Sequence, residues 1–388
     1  MSCQQDYLLK FTVRVLPGVT LTIEPGTTQA ITTPKPLSWF SPVGASWPME
    51  LDAPISSMSQ LPPDQRKPGD WGGVILLGNA PTNLRDASGT PMRGSVEGLT
   101  HGGKYGGNDP DDDSGVLRFV RIEYSGVQIA PNNEINGLTL AGVGRKTILD
   151  HVLVRHTADD CFEFFGGTVN GKHLVCLSNG DDGFDWDYGY SGKLQYLIVQ
   201  EDPAVSDETN GFEGDNDPNS SSNEPLSEPV IYNATLCGKN RSGEREQYGM
   251  LLRRGTRAHI FNTIVTGFDA AVDIRDRETK VEVKHSIFFG NLVHNVAIPE
   301  SGASGSSRDD DGGLDELALL RDPSWKNREN DPGLKRCFDL AHPTFWPTSE
   351  LTQGAVAPPN DGFFDASAAF VGALRNERDN WFTGRWAE

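Results

Sequence analysis

Positive charge is scarce in this 388-residue chain: Lys and Arg total 34 against 54 Asp and Glu, a formal net charge of −20. That field repels nucleic-acid phosphate and anionic membrane surfaces, and favours metal cations, neutral polymers and basic partners. Cysteine is sparse too. Cys3, Cys161, Cys176, Cys237 and Cys337 are scattered, with no zinc-ligand spacing and no dense disulfide framework, so the redox compartment stays open on this count. No apolar run reaches membrane-spanning length, so no transmembrane segment is expected. The start, Met1 to Asp6, lacks the charged and apolar regions of a signal peptide. The chain is therefore read as cytosolic or as lacking its leader. Cys3 has no small-residue lipobox before it and reads as an ordinary terminal cysteine. There is no P-loop, dinucleotide fingerprint or serine nucleophile elbow, so no organic cofactor is expected.

Glycine (43) and proline (25) are plentiful, which favours turns and short strands over long helices. Two interleaved series of apolar alternation then define the fold. The first is centred on His151, His173, Tyr196, Asn233, Asn262 and His285, at intervals of 22, 23, 37, 29 and 23 residues. The second places Leu138, Phe162, Phe184, Phe212, Met250 and Val272 after a small residue. Leu140, Phe164, Trp186, Leu252 and Ile274 share their phase. A coil of this length cannot bury its apolar face alone, so the coils must stack as parallel strands. Parallel crossovers are almost always right-handed. The expected architecture is an all-β, right-handed parallel β-helix.

Strict alternation puts the polar centres of the first series inside. They read as an internal polar ladder, His151 above His173 and Asn233 above Asn262; the functional alternative is a histidine metal site. The ends differ. Val19 to Ile23 looks like an early coil, but Thr27 to Gly69 is rich in Pro and Ser and shows no clear period. The expected divisions are an irregular N-terminal cap over 1–68, the helix proper over 69–300, and an acidic loop with an aromatic tail over 301–388. The tail aromatics, among them Phe345, Phe370, Trp381 and Trp386, are expected to cover the open solenoid end.

Several stretches carry a resemblance: Val19-Thr-Leu-Thr-Ile-Glu-Pro-Gly26, Gly69-Asp-Trp-Gly-Gly73, Tyr105-Gly-Gly-Asn-Asp-Pro-Asp-Asp-Asp-Ser-Gly115, Phe164-Phe-Gly-Gly-Thr168, Asp181-Asp-Gly-Phe-Asp-Trp-Asp187 and Phe370-Val-Gly-Ala373. Together they resemble a family of uncharacterised exported bacterial lipoproteins and surface proteins of the pectate-lyase-like β-helix type. The likeness covers residues 8–21 and 68–386. It implies export to the periplasm, cell surface or extracellular space, with a lipid anchor if a leader is missing, and no established reaction. Residues 27–65 depart from it, because a regular coil is expected there and its pattern is absent.

Chemistry is expected on the outward phase of the second series. Glu163, Asp185 and Glu213 fall on successive rungs about 4.8 Å apart, with Asp187 and Asp215 beside them and Arg253, Arg254 and Arg275 beyond. Like charges at that spacing raise one another's pKa or demand a cation. Three readings stand: a Ca²⁺ site, an acid/base pair of a polysaccharide lyase or glycoside hydrolase, or a solvated acidic face. Asp159, Asp160, Asp181 and Asp182 are expected to stack at a turn, holding a cation or capping backbone N–H groups. Asp159-Asp160-Cys161 is similar to a segment of polygalacturonases, whose Gly-His-Gly and Arg-Ile-Lys motifs are absent here. Asp109, Asp111 and Asp113 form a calcium-loop-like cluster without an EF-hand's distal Glu, and Asp215 with Asp217 a second. Phe165, Tyr188 and Tyr190 are expected to be exposed beside the acids, where they would pack on sugar rings, with Arg254 and Arg275 as further ligand contacts. The expected partners are polysaccharide or cell-surface components, and not nucleic acid. A purely structural surface role is the remaining alternative.

Overall fold

The computed structural model describes residues 1–2, 7–9, 12–31, 38–40, 45–46, 55–59, 61–96, 103–130, 133–205, 209–243, 247–299 and 313–387. Two long parallel sheets run the length of the molecule, their strands stacked in chain order. The long sheet contains Val116–Glu123, Ile148–Arg155, Asn170–Leu177, Lys193–Gln200 and Val230–Cys237. The short sheet contains Val74–Leu77, Leu138–Ala141, Phe162–Phe165, Phe184–Asp187, Phe212–Gly214, Tyr248–Leu252 and Ala270–Ile274. Each coil contributes one strand to each, giving the right-handed parallel β-helix.

The interior is the expected column. Leu138, Phe162, Phe184, Phe212, Met250 and Val272 pair in register and are fully buried. The rings of Phe162 and Phe184 lie 4.8 Å apart and nearly parallel, while Phe212 meets Phe184 edge-on at 5.8 Å. Cys161 and Cys176 are joined by a disulfide inside this core, with Cα atoms 5.7 Å apart. A single bridge between two scattered cysteines was not readable from their spacing.

Three expectations are overturned. The stack begins earlier than Gly69. Tyr7–Leu9, Thr28–Ile31 and Ile55–Ser59 belong to the long sheet, and Val13–Val15 and Ser38–Phe40 to the short one.

The polar centres of the first series face outward, not inward. His151, His173, Tyr196, Asn233, Asn262 and His285 all have positive φ, between 53° and 64°. This left-handed residue breaks the alternation, so Leu149 and Val152 both enter the core and the two residues between them turn out. His151 and His173 stack at 4.1 Å, and Tyr196 continues the stack at 5.0 Å. Asn233 and Asn262 instead bind the C-terminal segment. The Asn233 amide donates to the carbonyls of Ala368 and Phe370 at 3.2 and 2.7 Å. Asn262 donates to Val356 O at 2.7 Å and accepts from Val356 N at 3.0 Å.

The aromatic tail is therefore a strap along the side of the solenoid, not a lid over its end. Leu153, Val175 and Ile198 point outward yet are fully buried, beneath Phe345, Ala373, Leu374 and Trp386. A sheet apolar on both faces needs a second cover. The open end is closed by the helix Glu316–Leu320, which buries Leu320 in the core and is flanked by Leu314 and Trp325. Its Glu316 carboxylate accepts the backbone N–H of Ile274 on the last strand of the short sheet. Among the described residues no helix is long and apolar enough to cross a membrane.

Candidate functional site: an acidic strip on the short sheet

The short sheet alternates, so the side chains between the core residues emerge on its outer face. Thr139, Glu163, Asp185, Glu213, Leu251 and Asp273 pair in register there. Glu163, Asp185 and Glu213 thus form the expected ladder. The aspartates of the preceding turn join it. Oxygens of Asp160, Glu163 and Asp185 lie within 4.8 Å of one another, as do those of Asp182, Asp185 and Glu213. Asp185 belongs to both sets. A third set, Asp159, Asp160 and Asp181, lies at the turn itself.

Asp160 and Asp182 also cap backbone. Asp160 Oδ1 accepts the N–H of Asp182, and Asp182 Oδ1 that of Asn210, each at 2.8 Å. Each coil's turn aspartate thereby fixes the start of the next coil, which holds the carboxylates in rank.

Burial is the first cause that pushes the carboxyls of Asp160, Asp182, Asp185 and Asp187 well above the usual range; neighbouring carboxylates add to it. Burial likewise raises Glu213 to about 7, against the pull of Arg253. At neutral pH this strip keeps protons or takes a cation.

The strip ends in ion pairs. Arg253 Nε lies 2.9 Å from Asp215 Oδ1, and the same guanidinium reaches Glu213. Arg254 lies 2.7 Å from Asp215, and Arg275 2.9 Å from Asp273. The arginines expected to meet ligand are thus engaged with carboxylates of this chain.

Other expected site residues have other roles. Tyr190 is fully buried, stacks on Phe164 at 4.5 Å, and donates its hydroxyl to Val169 O at 2.9 Å. Phe165 is buried against Tyr105, with Ile75, Leu77, Val96 and Ala141 around it. Neither is an exposed sugar platform: Tyr190 lies in the solenoid interior, and Val96 and Tyr105 pack over Phe165 on the outer face as a second small core. Of the three aromatics only Tyr188 is half-exposed. Asp109, Asp111 and Asp113 are not brought into one cluster. Asp109 Oδ1 accepts from Asp111 N at 3.0 Å, Asp113 Oδ1 from Gly115 N at 2.9 Å, and Asp111 faces Arg145 at 3.2 Å. Asp217 is buried and caps its own loop through the N–H groups of Asn219 and Ser221.

Two features were missed. Asn136 is buried at the head of the strip and donates to Glu163, an approach set by coil stacking with no sequence signal. Asp150 accepts from Nδ1 of both His151 and His173 at 2.8 Å. Burial opposes ionisation of Asp150, but the two imidazole hydrogen bonds outweigh it and hold the carboxyl well below its ordinary range. Its signal was available: an aspartate directly before the first histidine of the column.

The fold is the one expected of the pectate-lyase-like β-helix proteins. The family model described as a pectate-lyase-like β-helix domain matches residues 1–308, and the chain belongs to that family. No curated protein and no solved structure matches it.

Proposed function

We propose that this protein works outside the cytoplasm as a glycan-binding β-helix whose acidic strip takes a divalent cation of the Ca²⁺ type. The carrying observation is the place of Asp185 in two convergent carboxylate sets. The donor set fits a hard cation, since every candidate ligand is a carboxylate oxygen. Buried polar atoms without partners among the described residues, Asn136 Oδ1, Thr139 Oγ1 and Asp187 Oδ1, line the same face. Asp160, Asp182, Asp185, Glu163 and Glu213 would hold the ion, and half-exposed Tyr188, next in the chain to Asp187 and packed near Phe165, would meet a sugar ring. A bound cation would neutralise the strip and accept sugar or uronate oxygens. The Cys161–Cys176 disulfide supports an oxidising, exported setting, at the cell surface, in the periplasm or outside the cell.

A second reading rests on Asp187. Its buried Oδ1 lacks a partner among the described residues, and its carboxyl is pushed toward the protonated form. Such a group suits a general acid, with Asp185 as the partner carboxylate of a hydrolase or lyase. One screen separates the readings: soluble polysaccharides with and without Ca²⁺, scored for binding and for reducing-end or unsaturated products. Calcium-dependent binding without products supports the first, and products lost in Asp187→Asn support the second. Neither binding nor products in any glycan rejects both.

A further inference from the structure

Two thiols away from the acidic strip meet where the solenoid touches its C-terminal strap. Cys237 ends the strand Val230–Cys237 on the strap side of the long sheet and is fully buried. Cys337 follows the strap strand Leu334–Arg336 and is 2% exposed. Both belong to one apolar cluster with Leu153, Val175, Ile198 and Phe345. Their sulfurs lie within hydrogen-bonding reach of each other; burial first, and this contact second, push the Cys237 thiol up. The backbone on both sides is pinned. Gln200, which pairs with Cys237 in the sheet, donates its side-chain amide to Cys337 O at 2.8 Å and to Asp339 O at 3.2 Å. The N–H of Glu201 holds Cys237 O at 2.9 Å.

We infer that Cys237 and Cys337 are a second disulfide site, a staple that fastens the strap to the solenoid. Two sulfurs within hydrogen-bonding reach, on backbone pinned at both positions, are placed for a crosslink that a distant pair could not form. The bond would close a loop of about 100 residues, the kind of crosslink that most restricts an unfolded chain. The chemistry balances by exchange with an external disulfide such as oxidised glutathione. One cysteine thiolate displaces a glutathione thiolate to form a mixed disulfide. The other cysteine then attacks the protein sulfur and releases the second glutathione. The two cysteines lose two electrons and two protons, and two reduced glutathiones gain them. Buried thiols exchange slowly, so the step belongs to folding, before the strap has docked.

Cyanogen bromide tests this cleanly. Cleavage after Met92 and Met250 leaves Cys161, Cys176 and Cys237 in fragment 93–250 and Cys337 in fragment 251–388. The full chain is refolded in a series of glutathione redox buffers, quenched in acid and cleaved. On a non-reducing gel the two fragments should run as one species at the oxidising end and part on reduction. In Cys237→Ala and Cys337→Ala they should run apart throughout. Separate wild-type fragments at the oxidising end overturn the assignment, as does a 251–388 fragment joined to the piece carrying Cys3. The wild-type result does not depend on either variant folding.

Discussion

A Cβ placed on Gly214 would fall inside the indole of Trp186, against Cζ2 and Cε2. Trp186 is fully buried and its Nε1 donates to Thr256 Oγ1 at 3.0 Å, so the ring has nowhere to go. Gly214 lies between Glu213 and Asp215 and is the residue that lets the indole fill the coil beneath the acidic strip. Gly214→Ala should therefore destabilise the protein by about 1–3 kcal/mol, the usual cost of overpacking, read by chemical denaturation. An unchanged midpoint would show that the indole is not the constraint.

Asp185 should be the pivot of cation binding. Calcium should raise the melting temperature of the wild type, because a ligand that binds only the native state stabilises it. In Asp185→Asn that shift should be largely lost. In metal-free buffer the same variant should melt at an equal or higher temperature, since an amide relieves a buried carboxyl that resists ionisation. A calcium shift that survives the substitution would place the ion elsewhere.

The strip also sets a pH dependence, and its sign is opposite to that of ion-paired carboxylates. A group with a raised folded pKa contributes stability that is fully present below its unfolded pKa and lost as pH rises through the folded one. For Glu213 the window runs from 4.5 to about 7, and Asp160, Asp182, Asp185 and Asp187 act in the same direction. Asp150 and Asp361, both depressed, work the other way, but only below the ordinary carboxylate range. The metal-free protein should lose stability between pH 4.5 and about 7, and saturating calcium should flatten that slope. Melting temperature against pH, with chelator and with calcium, is the measurement.

Asn233 should show what the left-handed bend requires. Its φ is 59°, and its amide holds two strap carbonyls. Asn233→Ala loses both bonds, and the one that Asn233 Oδ1 accepts from Gln195 at 3.1 Å, and puts a residue that tolerates the left-handed region less well than asparagine in its place, a combined cost of about 2–4 kcal/mol. Asn233→Gly loses the bonds but not the conformation and should be milder. Equal effects in equilibrium unfolding would mean that the bend itself costs nothing.

What was legible in the sequence is what strand periodicity controls. The small residue before each second-series strand and the alternation after it determined that Phe162, Phe184 and Phe212 would stack inside. By the same phase they determined that Glu163, Asp185 and Glu213 would share a face, because side-chain direction along a strand is a local property. Only the tertiary structure decided the rest. Whether His151 or Asn233 points in or out depends on one left-handed φ, which alternation does not report. Phe165 and Asp187 have equivalent outward positions on neighbouring rungs, yet Phe165 is buried because Val96 and Tyr105, from outside the strand series, pack over it. Arg253 and Arg254 meet Asp215 rather than a ligand because the coil spacing brings them within reach. Cys161 found Cys176, and Cys237 came to face Cys337, through stacking and strap docking, which join residues that no spacing rule connects.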